Sequence, residues 1–406
     1  MKIAAIIAEY NPFHNGHKYQ IDTIRETLGQ DTAIVAIMSG NFTQRGELAI
    51  ADKTVRAEAA VMSGVNLVLE LPFPYSMASA EFFASAGVHI AHKIGTVDYL
   101  IFGSELGDGA ELSEIASNLA SDEFSAALRE LSASDEYKSC GYPELCEVAY
   151  RRTFDADVSS DIFSPNNILA LEYIKSLKRE SSDIRPITIK RTGAGYSDSF
   201  IHGETFQSAT AIRELMTSGD NTAFDYMPKS AENAFSRALL SGTAPTNTAL
   251  LDSAVISHFR MSSPGVTPDI QDAAGGLYNR LCELSAQTNS ISALIAAAST
   301  KKYTTARIRR ALWYSYFGVT SSDVRTPPCY TQVLAMDSVG RAVLKEIKRV
   351  SDFPVITKPA SYRECTPEVI YQKELALRAE SVFCLARKEP LCGSFPVKFT
   401  PFVKKA

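Results

Sequence analysis

Two imidazoles three positions apart, His14 and His17, stand on either side of Gly16 in the run Glu9-Tyr10-Asn11-Pro12-Phe13-His14-Asn15-Gly16-His17. At that spacing both rings fall on one side of the first turn of a helix. Unpaired backbone N–H groups and the positive end of the helix dipole already favour phosphate there. The chemistry such a cluster suits is the handling of a nucleotide, with Gly16 letting the nucleotide approach closely. A second set of donors lies at Ser208-Ala209-Thr210-Ala211-Ile212-Arg213. Its hydroxyls and guanidinium can donate to a triphosphate, and arginine suits planar multi-oxygen partners. The same Ser-Ala-Thr also reads as an ordinary helix N-cap.

These residues need strands and helices to aim them. Lys2 to Ala8 is a short β-branched run ending at a turn-forming Asn-Pro, and Lys18 to Leu28 carries Ile21, Ile24 and Leu28 at helical spacing. The order strand, loop, helix puts the histidines where a doubly wound fold places its phosphate loop. Ala33 to Met38 is a second strand, leading into Ser39-Gly40-Asn41-Phe42-Thr43-Gln44-Arg45-Gly46-Glu47. That loop lies at a strand's carboxyl end, so Gln44, Arg45, Lys53 and Arg56 are candidates to face substrate or RNA. Lys53 and Arg56 could equally be surface charges of a helix over Asp52 to Ser63. Strands are expected at Asn66 to Leu71, Asp98 to Phe102 and Arg185 to Arg191, and helices at Ser76 to Lys93 and from Pro165 to about Lys178. Gly103, after the fourth strand, leaves room for an adenosine. Asn166 either caps its helix or contacts nucleotide. The whole is an α/β fold, a doubly wound parallel sheet.

Composition sets the remaining bounds. Hydrophobic content of 45% and charged content of 21% over 406 residues describe a globular protein with room for two or three domains. No run approaches eighteen uninterrupted apolar residues, and Met1-Lys2-Ile3 leads straight into a strand. The expectation is a cytoplasmic protein without membrane contact. Seven cysteines without a Cys-x-x-Cys pair read as reduced thiols rather than disulfides or zinc ligands. The net charge of -5 is unevenly divided: residues 226 to 406 hold 23 Lys and Arg against 14 Asp and Glu, or +9, leaving -14 for residues 1 to 225. We therefore expect residues 1–225 to form the nucleotide-handling domain, with an acidic helical insertion at about 108–160. Residues 226–406 are expected to form a helical basic region that docks a polyanion through salt-sensitive contacts.

His-x-Gly-His after a first strand, paired with the later Ser/Thr-rich turn ending in Arg213, resembles the two signatures of the HIGH-type nucleotidyltransferases. Four strings narrow the resemblance: Ala8 to His17, Met38 to Glu47, Pro165-Asn166-Asn167-Ile168-Leu169 and Ser208 to Arg213. They are similar to those of the bacterial tRNA(Met) cytidine acetate ligases, across nearly the whole chain. The resemblance implies a Rossmann-like fold and a two-step reaction without acetyl-coenzyme A. ATP and acetate give acetyl-adenylate and pyrophosphate, and the acetyl group then passes to the wobble cytidine of elongator tRNA(Met). It implies nucleotide contacts from Ile7, Ala8, Glu9, Tyr10, Asn11, Pro12, Phe13, His14, Asn15, Gly16, His17, Lys18, Tyr19 and Gln20, and from Gly103, Asn166 and Arg191.

Lys301-Lys302-Tyr303-Thr304-Thr305-Ala306-Arg307-Ile308-Arg309-Arg310 resembles that family's basic helix, with Thr305-Ala306 and Arg309 departing from its pattern. Lys301, Lys302, Arg307 and Arg310 are the expected RNA contacts, Arg307 and Arg310 sharing one helical face. Gly340 to Val350 offers a second basic face. Adenylation gathers negative charge at the α-phosphate, which His14, His17, Arg213 and a bound Mg2+ would stabilise, helped by Ser208 and Thr210. Holding the carboxylate in line can contribute up to about 7 to 11 kcal/mol. A small-molecule adenylyl or cytidylyl transferase, a synthetase-type adenylate enzyme and a non-catalytic RNA-binding protein with a relict nucleotide site are the alternatives. DNA is not an expected partner.

Overall fold

The computed structural model describes residues 1–137, 140, 142–155, 160–190, 207–262, 269–394 and 400–405. It begins with β1 (Ile3–Ala8), α1 (Asn15–Leu28), β2 (Ala33–Ser39), α2 (Lys53–Met62), β3 (Leu67–Leu71), α3 (Ala80–Lys93) and β4 (Tyr99–Ser104). The first three strands are Ile-, Val-, Leu- and Ala-rich and buried on both faces, as a parallel sheet covered by helices demands. β1 pairs in parallel with β2, Ile3 opposite Ala33 and Ala8 opposite Met38, and on its other edge with β4, Ala4 opposite Tyr99. The chain therefore winds outward through β2 and β3, then returns to the other side of β1. The carboxyl ends of β1 and β4 form the switch point at which such sheets hold ligands.

Three helices, α4 (Gly109–Leu119), α5 (Asp122–Ala133) and α6 (Tyr142–Phe154), follow β4 and precede α7 (Pro165–Arg179) and β5 (Arg185–Lys190). β5 pairs in parallel with β4. Next come α8 (Ala209–Ser218), α9 (Lys229–Leu240), α10 (Asp252–Met261), α11 (Leu277–Ser285), α12 (Ile291–Ala298), α13 (Thr305–Phe317) and α14 (Ser321–Arg325). The last elements are β6 (Thr331–Met336), α15 (Ser338–Val350), β7 (Val355–Ile356), α16 (Pro367–Phe383) and β8 (Phe402–Val403).

The sheet order is β5-β4-β1-β2-β3-β6-β7, with β8 alongside β6. A division at residue 225 is thus not the division of the sheet. β6, from the second half, pairs antiparallel with β3, Leu67 opposite Met336, and carries β7 and β8 with it. The physical reason is the open edge of β3, whose unpaired backbone groups need covering. α10 to α13 and α16 form a helical body with its own core around Trp313, Phe317 and Phe383. Phe42 and Phe73, from the loops after β2 and β3, are part of that core. The Phe42 ring lies 5.4 Å from Trp313 and 5.5 Å from Phe317, which fixes the helical body against the sheet's carboxyl edge.

Candidate nucleotide site

At the switch point is a cavity of about 160 Å3 walled by the end of β1, the first turn of α1, Gly103 of β4, Asn166 of α7 and Ser208 before α8. Both histidines reach it. His14 is the N-cap of α1, extended at φ -132°, and its Nδ1 accepts from the Gly16 N–H at 3.1 Å. The Nδ1 of His17 accepts from the His14 N–H at 3.2 Å. The two form a reciprocal cap, with stacked rings whose centroids are 3.8 Å apart. Because each Nδ1 is an acceptor, the neutral rings carry their proton on Nε2, and two Nε2–H donors are pre-set beside the helix N-terminus. A Cβ at residue 16 would sit 2.9 Å from His14 Cε1. Gly16 is therefore needed to seat the His14 ring, not only to admit a ligand.

The residues before the helix are held from below. Tyr10 takes a left-handed φ of 47° and, with Phe13, is buried against His17, ring centroids 4.9 and 5.4 Å away. Asn11 is buried, its Oδ1 accepting from the Ile50 N–H at 2.7 Å. Its carbonyl accepts from Arg213 Nη1 at 3.0 Å. Glu9 lines the cavity and accepts from the Gln44 N–H at 2.8 Å. Burial raises the Glu9 carboxyl above its usual range; the Gln44 N–H, Arg213 and Arg56 lower it in part, and Glu47 adds to the rise. On the far wall Glu105 accepts from the Asn166 side chain, from Ser164 Oγ at 2.8 Å and from the Asn167 N–H at 3.0 Å, tying the end of β4 to the start of α7. Asn166 thus borders the cavity with its amide held by Glu105, and the N-cap Ser164 spends its hydroxyl on Glu105 rather than on a backbone N–H of the helix.

Of the sequence candidates, Ile7, Ala8, Glu9, Tyr10, Asn11, His14, His17, Gln20, Gly103, Asn166 and Ser208 are brought together around this cavity. Lys18, Tyr19 and Asn15 turn to other partners or outward: Lys18 pairs with Asp22, Tyr19 is exposed and Asn15 reaches Asp225. Arg191 lies outside the described residues. Ser208 caps α8 by accepting from the Ala211 N–H at 3.1 Å. Thr210 and Arg213, one turn on, border a second and larger cavity instead. Gln207, Phe83 and Tyr173 also wall the first cavity. Gln207 could have been found by its place beside the Ser-Ala-Thr turn; the two aromatics are indistinguishable in sequence from core residues.

Two expectations about basic residues are corrected. Lys53 and Arg56 face neither ligand nor solvent. Lys53 is buried between Glu70, at 2.7 Å, and Glu380, and Arg56 donates to the carbonyls of Glu9, Ser39, Gly40 and Ala51. Arg310 is buried and paired with Asp272 at 2.5 Å, while Arg307 donates to the carbonyls of Asp272 and Ala274. The cause is that α13 buries Ile308, Leu312 and Trp313 in the helical core, which turns Arg310 inward. Lys301 and Lys302, just ahead of α13, are exposed, and so are Arg341, Lys345, Lys348 and Arg349 on α15.

A paired-imidazole helix start at the switch point of a parallel sheet defines a nucleotidyl transferase site of the HIGH class, and the family model "HIGH Nucleotidyl Transferase" matches residues 1–392. The tRNA(Met) cytidine acetate ligase of Acetivibrio thermocellus is 34% identical over 98% of this chain and 99% of its own. That of Caldanaerobacter subterraneus subsp. tengcongensis is 37% identical, covering 96% of each. The crystal structure of Thermotoga maritima TmcAL bound with alpha-thio ATP superposes with a TM-score of 0.90 at 31% identity, covering 99% of both chains. The chain belongs to the tRNA(Met) cytidine acetate ligase family of HIGH nucleotidyl transferases. Among the described residues no helix is long and apolar enough to cross a membrane.

Proposed function

We propose that this chain condenses ATP and acetate at the β1–β4 switch point and passes the acetyl group to the N4 amine of the wobble cytidine in elongator tRNA(Met). The observation that carries the reading is the reciprocal His14–His17 cap, which holds two Nε2–H donors at a helix start suited to a triphosphate. An acetate oxygen attacks the α-phosphorus, the bond to the pyrophosphate oxygen breaks, and acetyl-adenylate forms. The cytidine amine then attacks the acetyl carbon, AMP leaves with the bonding pair, and the amine loses one proton.

His14 and His17 stabilise charge that builds on the phosphates, from fixed positions that need no reorganisation. Gly103 and Asn166 supply the wall beside which the nucleoside would lie, with Arg191 and the β1-to-α1 segment as further nucleotide contacts by family match. Arg213 acts by holding the Asn11 carbonyl, and Ser208 and Thr210 set its turn. Mg2+ carried on the triphosphate would add charge neutralisation, and Glu9 is the carboxylate on the cavity wall that could help hold it. Lys301 and Lys302 are the tRNA contacts this reading retains from the basic helix. Arg307 and Arg310 serve it by fixing the start of that helix. The setting is the cytoplasm, where ATP and tRNA meet.

The test is incubation of the purified chain with ATP, labelled acetate and tRNA, without coenzyme A, followed by nucleoside analysis. N4-acetylcytidine in elongator tRNA(Met), with AMP formed in equal amount, is expected. Label that stays out of RNA while a small-molecule product accumulates would overturn the reading in favour of a small-molecule transferase.

A further inference from the structure

Beside the nucleotide cavity lies a groove of about 910 Å3 between α8, α12 and α13. Residues close together at the start of α8 border the two spaces: Ser208 and Ala209 line the first, Thr210 and Arg213 the second. The partition between them is the tight turn from Thr43 to Glu47, closed by the Gly46 N–H donating to the Thr43 carbonyl at 2.8 Å. Gln44 lies on the nucleotide side and Glu47 on the groove side. Glu47 is shared by two guanidinium groups, Arg213 at 3.4 Å from one oxygen and Arg309 on the other. Gly46 packs directly on α13, where a Cβ would meet Arg309 Cβ at 2.7 Å, so the turn is fixed to the helical body.

Resting on the reading of tRNA as acetyl acceptor, we propose that this groove receives the single-stranded RNA segment that presents the acceptor cytidine. Three observations support that occupant. The groove adjoins the cavity in which the acetyl-adenylate would form, so an extruded base has a short path past Glu47 and Arg213. Its walls are rich in hydroxyl donors and acceptors, including Thr217 and Thr305, a lining suited to sugar and base edges. At one end, Ser299 and Thr305 bracket the exposed Lys301 and Lys302, which can take the phosphates of the strand. Arg213 and Arg309, each already sharing Glu47, can exchange that carboxylate for a phosphate without becoming unpaired.

Filling the groove tests the assignment. Ala296 on α12 and Thr217 on α8 are exposed residues on opposite walls, and Ala297 is an exposed neighbour outside the groove. Ala296→Trp and Thr217→Trp should each raise the KM for tRNA at least tenfold, with acetate-dependent ATP–pyrophosphate exchange unchanged. Ala297→Trp should alter neither. The unchanged exchange rate shows that each variant has folded. Normal acetylation of limiting tRNA by both groove variants would overturn the groove assignment while leaving the acetylation reading standing. Loss of exchange in parallel with acetylation would also overturn it, since the groove would then serve acid activation. If the unsubstituted chain acetylates no tRNA, the acceptor reading fails first and the groove assignment with it.

Discussion

Two groups of charged and polar side chains in this fold do opposite things. Around the nucleotide cavity, the imidazoles are fixed by backbone N–H groups that each Nδ1 accepts, which puts the proton of a neutral ring on Nε2. Behind the cavity, Asp52, Lys53, Glu70, Lys373, Glu380 and Arg387 form an ion cluster sealed from solvent, with Lys53 shared by two carboxylates and Arg387 on Asp52. Burial pulls Lys53 down, yet Glu380 and Glu70 together hold it above the usual lysine range. Lys373 goes the other way, lowered by burial and by Lys53 with only partial relief from Glu380. The difference teaches that a helix start can hold functional donors at little cost, because the backbone orients them. Charges taken into the interior need every partner present.

The ion cluster should therefore be the more fragile of the two. Glu380→Ala leaves Lys53 with one partner and Lys373 with none, and should cost about 3 to 5 kcal/mol of stability. Urea denaturation measures this. Stability unchanged within error would mean that the cluster is not a buried one in solution. His14→Asn is the converse test. Asparagine keeps the N-cap but loses the Nε2 donor, so acetate-dependent pyrophosphate exchange should fall about 100- to 1000-fold, with stability nearly retained and tRNA binding at fixed salt unaltered. Parallel loss of binding would erase the distinction between the two steps.

Arg213→Ala should have a smaller effect, near tenfold in the ATP requirement, since it frees the Asn11 carbonyl and leaves Glu47 to Arg309 without touching the imidazoles. Untouched ATP kinetics would leave Ser208 to Arg213 as a helix cap alone. The smallest effect is expected for Glu9→Gln, and it depends on pH. The folded-state value of Glu9 is raised, so its contribution to stability is full below the unfolded value near 4.5 and is lost as pH rises through the folded value. Glutamine does not titrate. The variant should therefore gain stability relative to the parent as pH climbs through that window, and none well below it. A constant difference across that range would show that Glu9 is not desolvated.

The same contrast explains what was legible in the sequence. The cavity could be read because its residues are local: His14, Gly16 and His17 sit in one turn, and β1 to β4 alternate with helices in chain order. Gly16 was found for an incomplete reason, since its neighbour's ring, not only a ligand, needs the space. The ion cluster could not be read, because Lys53 and Glu380 meet across 327 positions and a lysine at a helix start looks like a surface charge. The same applies to Arg310, whose partner Asp272 lies on a distant loop, and to β6, whose place beside β3 depends on an open edge that only the assembled sheet reveals. Charge asymmetry along the chain reported which half is basic, not which lysines and arginines remain at the surface.

The account turns on the imidazole pair making an adenylate from acetate before any RNA is involved. ATP–pyrophosphate exchange, measured without tRNA and with or without acetate, on the parent chain and on His14→Asn, tests it most directly. Exchange that requires acetate, proceeds without RNA and falls at least 100-fold in the variant is the predicted result. Exchange that ignores acetate, or that the variant retains at the parent rate, would contradict it.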